Sequence, residues 1–209
     1  MSTGRAEAFS DGVFAVAITV LVFGLLPIGA GKLDASVLLG AWTEYFAYVV
    51  SFLTIGIMWM NHHTILAHVT RVDRPLLVIN LLLLMGIVAI PFPTALVAEH
   101  LRHAGATTAT VTYGLVMIAI SAGFGALWVY VATHAPALGA SLPPEALRSS
   151  ILGFNLGGAA YVVGTLIAGL VSAVAGMVIF GALGVYYLFE HLPSPAEEAP
   201  SSSSPEPGP

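Results

Sequence analysis

Cysteine is absent from the 209-residue chain. That excludes a disulfide framework and any thiolate-ligated metal, and leaves the redox compartment unspecified. Charge is almost as scarce: 8% of residues are charged against 57% hydrophobic, and mean hydropathy is +0.92. A water-soluble domain carries about 25% charged residues, so the composition describes an integral membrane protein. The net charge of -5 gives no acidic membrane surface, because three of the eleven acids, Glu197, Glu198 and Glu206, sit near the C-terminus. No nucleic-acid partner is expected.

The chemistry of a membrane enzyme is missing too. There is no HExxH motif, no pair of mid-membrane aspartates and no Ser and His pair at depth, so no catalytic residue is assigned and an enzyme is not expected. Of the seven histidines, His62, His63 and His68 cluster at one end of an apolar segment, His100 and His103 fall in a connection, and His134 and His191 lie in or beside loops. No two segments offer facing histidines at mid-membrane depth, as a bis-histidine haem requires; neither a metal nor a cofactor is expected. The string Thr110-Val111-Thr112-Tyr113-Gly114 is similar to the TVGYG filter of tetrameric potassium channels. It lacks the middle Gly and opens a full-length apolar span where a filter needs a re-entrant loop. A secondary transporter is disfavoured by a nearly charge-free midplane and by the lack of a repeated motif.

What the chain does have is a series of apolar segments, the first with an unusual head. From Glu7 to Leu26 the pattern is that of a helix about 30 Å long at ~1.5 Å per residue, enough for one bilayer core. Asp11 sits one to two turns inside it. A carboxylate there costs several kcal/mol unless it meets a partner, so it faces a bundle interior or a watery path. With about 100° between successive side chains, Gly12, Val16, Thr19, Val20 and Phe23 share one stripe, and Asp11 lies about 140° from Val16. Candidate partners of Asp11 on neighbouring helices are Trp59, His63 and Asn80. Taken alone, Val16, Val20 and Phe23 are compatible with ordinary lipid or core packing. The Thr19 hydroxyl is equally compatible with a bond to a carbonyl one turn earlier.

Five further spans are expected, over about 36–67, 76–97, 107–132 and 149–171, and then, after a turn at 172–175, up to Glu190. Pro75 suits the first turn of the third, which Pro91 and Pro93 kink or end. Residues 134–148, with three prolines, read as a loop. In the fifth span Gly153 and Gly157 stand at GxxxG spacing beside Gly158, Gly164 and Gly169, a composition that lets helices approach closely. Residues 1–191 form the membrane domain, and 192–209, rich in Pro, Ser and Glu, are expected to be disordered. The first apolar run is too long for a signal-peptide core and is expected to stay in the mature protein. Six spans put both termini on one side. With that side cytoplasmic, Arg5, Arg71, Arg74 and Arg148 lie inside against Lys32 and Arg102 outside, as the positive-inside rule prefers. The expected location is the cell membrane.

At Arg5, Phe9-Ser10-Asp11, Gly12-Val13-Phe14-Ala15 and Ile18-Thr19 the first helix resembles the lysosomal potassium channel family known as transmembrane protein 175, in its single-repeat bacterial form. The six spans and the Trp59 and His62-His63 end of the second fit as well. The resemblance implies an all-α integral membrane protein with six transmembrane helices per subunit, assembled as a homotetramer in the lipid bilayer. Its first helix would line a central pore for passive K+ conduction, with no TVGYG filter and no cofactor beyond the permeant K+. The family's constriction falls on Val16 with further layers at Val20 and Phe23, and its pore threonine on Thr19, all members of the stripe. Val16 stands where Ile or Leu is common in the family, and Phe23 where Leu is common. Arg5, Phe9, Ser10, Asp11, Trp59, His63 and Asn80 then form a network that fixes how the pore helix sits. Readings from other classes are a small-solute carrier and a non-conducting membrane scaffold.

Overall fold

Helix follows helix along the chain, with no strand among the described residues. The computed structural model describes residues 3–28, 31, 34–140 and 144–189, the side chains of 144–155 and 188–189 excepted. Helix α1 is Thr3–Val20, continued by a 3-10 segment Leu21–Leu25; α2 is Ala35–Gly40, α3 Trp42–Ala67, α4 Arg74–Ala89 and α5 Pro91–His100. Then come α6 Ala106–Thr133, α7 Ala135–Leu138, α8 Pro144–Leu170 and α9 Ala173–Phe189. Among the described residues, four stretches are long and apolar enough to cross a membrane: Thr3–Leu25, Trp42–Ala67, Arg74–His100 and Ala106–Thr133. Shorter apolar stretches, Leu156–Leu170 and Ala173–Tyr187, follow. The chain is an all-α membrane protein.

Several boundaries differ from those expected, each for a local reason. The segment over 36–67 is broken at Ala41, whose backbone (φ -83°, ψ 27°) leaves the helix just after Gly40, a poor helix former. Pro91 kinks the third span without ending it. The ring removes one helical donor, the Ile90 N–H takes over the Ile87 carbonyl at 3.1 Å, and the Thr94 N–H resumes the ladder on Ile90. His100 therefore closes a helix and does not lie in a connection. Residues 134–148 hold two helical pieces: α7, and the start of α8 at Pro144, where a proline fits the first turn. The last turn is shorter than expected, only Val171 and Ser172, with the Ser172 hydroxyl accepting the Ala175 N–H at 3.3 Å. The tail, 192–209, lies outside the described residues, as does Lys32.

Helix α6 is the centre of the bundle, packing against α4, α5, α8 and α9, while α1 lies at its edge against α3 and α4. Small residues set the closest approach. A methyl group added at Gly176 would stand 2.5 Å from Ala168 Cβ and 2.9 Å from the Gly164 carbonyl oxygen, so α8 and α9 meet almost backbone to backbone. The Thr110 to Gly114 string is helical within α6, with Tyr113 fully buried, so its carbonyls are committed to the helix ladder. Asp73 begins α4 by accepting the Leu76 N–H at 2.9 Å and also accepts the Tyr130 hydroxyl of α6 at 2.6 Å. Those two donors, the tyrosine first, hold its carboxyl below the usual carboxylate range.

Candidate functional site along the first helix

Ala6, Ser10, Phe14, Ala17 and Leu21 recur at helical spacing and are all buried, which defines the inner face of α1. Ser10 is the polar member. Its hydroxyl donates to the Ala6 carbonyl at 2.9 Å and its oxygen accepts from Asn80 Nδ2 of α4 at 3.0 Å. Asn80 Oδ1 in turn lies 2.7 Å from His62 Nε2 of α3. An amide that donates on one side must accept on the other, so His62 carries its proton on Nε2. The result is a one-way chain, His62 to Asn80 to Ser10 to Ala6, that ties α3, α4 and α1 together. Phe14 packs its ring 5.3 Å from that of His62 and shields the chain. In lipid each such interhelical bond contributes about 0.6 to 2 kcal/mol.

Asp11 is held differently. It is exposed beside the inner face, and the Trp59 indole N–H of α3 donates to its Oδ1 at 2.8 Å. His63 stacks on Trp59 with ring centroids 6.3 Å apart and makes no hydrogen bond to Asp11 or Asn80. Of the three candidate partners of Asp11, the structure brings up Trp59. Asn80 serves Ser10, and the histidine in the chain is His62 in place of the expected His63. A sign of it was present: Ile55, Met58, His62 and Ile65 follow i, i+3, i+7, i+10 spacing and are buried together, whereas His63 lies about 100° away around the helix. Arg5 and Phe9 are exposed, and Arg5 has no hydrogen bond or ion pair among the described residues.

The opposite face of α1 is largely open among the described residues. Gly12 and Thr19 are exposed, and Val16, Val20 and Phe23 have 57%, 37% and 61% of their surface free. The Thr19 hydroxyl donates to the Val16 carbonyl at 2.9 Å, which leaves the oxygen able to accept from, or face, a cation. The switch to 3-10 geometry at Leu21 also matters here. Residues three apart eclipse in a 3-10 helix but are offset by about 60° in an α-helix, so Phe23 is drawn into line with Val20. Among the described residues, no group of three or more His, Asp or Glu side chains is placed to hold a metal.

Residues 5–91 match the family described as the endosomal/lysosomal potassium channel TMEM175. A potassium channel of Streptomyces collinus is 43% identical over 204 residues, covering 96% of this chain and 98% of that protein. The crystal structure of a lysosomal potassium-selective channel TMEM175 homolog from Chamaesiphon minutus superposes with a TM-score of 0.78 at 35% identity, over 89% of this chain and 96% of that one. The endosomal/lysosomal proton channel TMEM175 of Gallus gallus is 36% identical over 109 residues, 47% of this chain but 22% of that longer protein. With such similarity along nearly the whole chain and a matched segment that spans α1, α3 and α4, the protein belongs to the TMEM175 family.

Proposed function

We propose that the chain is the subunit of a potassium channel, in which four copies of α1 surround a symmetry axis and line a passive path for K+. The observation that carries this reading is the open face of α1, where Val16, Thr19, Val20 and Phe23 form one exposed row among the described residues. The potassium channels among its relatives support the choice of ion. Around a four-fold axis, Val16 becomes a narrow apolar ring that resists wetting, with Val20 and Phe23 as further layers. Between them, four Thr19 oxygens replace part of the water around a K+ ion. Ser10, Asn80 and His62 hold the helix from behind, and Asp11 with Trp59 fixes its rotation. Both termini lie in the cytoplasm, with Arg5, Arg71, Arg74 and Arg148 on that side of the cell membrane.

Flux into proteoliposomes under potassium and sodium gradients tests the reading. A channel gives a large, non-saturating K+ flux, and Val16→Asn raises it because amides at the ring hold water. A saturable flux would identify a carrier, and no flux from either protein a scaffold; both overturn the proposal.

A further inference from the structure

A cleft of about 780 Å³ lies at the end of α1 remote from Asp11, between the 3-10 segment, α2, α3 and α5. That volume is in the range of small-molecule sites, about 300 to 1,000 Å³. Phe23, Val37 and Pro91 supply apolar wall, Tyr48 a ring, and Glu44 and Glu99 the carboxylates. Glu44 is half-buried and positioned by the Thr43 hydroxyl at 2.8 Å, whereas the Glu99 side chain is 77% exposed. Among the described residues no Lys or Arg lines the cleft; Arg102 sits over the Trp42 ring, 5.8 Å from its centroid, outside the cleft.

This combination selects one ligand chemistry. A bare K+ ion gains nothing from apolar walls and would give up hydration to touch them. A neutral apolar molecule supplies no counter-charge to the half-buried Glu44 carboxylate, which has none among the described lining residues. An ammonium bearing alkyl or aryl groups satisfies both, through contact with Phe23, Val37 and Pro91, a cation held toward the Tyr48 ring, and charge pairing with Glu44. We infer that the cleft is a binding site for an amphiphilic organic cation. Because Val20 and Phe23 line the cleft as well as the exposed row of α1, an occupant bears directly on those two side chains.

The test is equilibrium binding of tritiated benzyltributylammonium to the purified full chain in nanodiscs at low ionic strength. Binding does not require conduction, so its outcome is independent of the channel reading. The expected result is a saturable component, displaced by unlabelled tetrabutylammonium and indifferent to exchange of sodium for potassium at constant ionic strength. Glu44→Gln, which preserves an acceptor for Thr43, weakens it about tenfold, and Glu99→Gln less, because water screens that carboxylate. Glu7→Gln, on the first turns of α1 at the far end, leaves it unchanged. Retention no greater than that of empty nanodiscs, or wild-type affinity in a folded Glu44→Gln protein, overturns the inference.

Discussion

The two faces of α1 are equally apolar but have different fates. Ala6, Ser10, Phe14, Ala17 and Leu21 are at most 4% exposed, whereas Val16 and Phe23 keep more than half their surface free. In water such a contrast would follow hydrophobicity. In a bilayer it cannot, since lipid accepts either face, and association depends on close packing and interhelical hydrogen bonds. The inner face has both: two alanines and a serine that let neighbours approach, and a hydroxyl at the end of a polar chain. The outer face is β-branched and aromatic around the open backbone of Gly12, and it is the face assigned to the pore in the proposed channel.

Four experiments probe that contrast, in order of expected effect. Phe14→Ala removes a fully buried ring and uncovers His62, for a loss of about 3 kcal/mol in detergent unfolding experiments, while Val16→Ala costs under ~1 kcal/mol. Equal losses at the two positions would erase the distinction between the faces.

Asn80→Leu strands the His62 proton and removes the donor to Ser10, and is expected to cost about 1 to 3 kcal/mol by the same measurement. Adding His62→Leu should return much of that, because two apolar neighbours need no partner; a double-mutant cycle without coupling would mean that the chain contributes nothing as a unit.

Asp11→Ala leaves the Trp59 indole N–H unpaired at a site that is 43% exposed, so the loss is smaller, about 1 kcal/mol. It should appear in size-exclusion profiles as weakened assembly before it appears in K+ flux per assembled protein. A stable tetramer with normal flux would remove Asp11 from the set of residues that orient the helix.

Thr19→Val should barely change stability, since the Val16 carbonyl it releases retains its backbone donor. In the proposed pore its effect belongs to permeation: under a potassium against sodium gradient, the reversal potential should move toward zero if four Thr19 oxygens form a ring. An identical reversal potential at similar current would shift selectivity to the width of the Val16 and Val20 rings.

Much of this was legible in the chain itself, because helix period and lipid solubility are properties of neighbouring residues. Runs of apolar side chains marked the spans, Pro75 marked the start of α4, and the 100° rotation per residue put Gly12, Val16, Thr19, Val20 and Phe23 in one row. The same arithmetic made Asp11 an anomaly requiring a partner and kept Trp59 among the candidates. Tertiary structure alone chose Trp59 for Asp11, His62 over its neighbour His63, and Ser10 as the recipient of Asn80. It also carried the third span through Pro91 and tightened the first helix after Val20. Those outcomes depend on which faces of α1, α3 and α4 meet, and that is decided by the fit of side chains far apart in sequence, to which no local period responds.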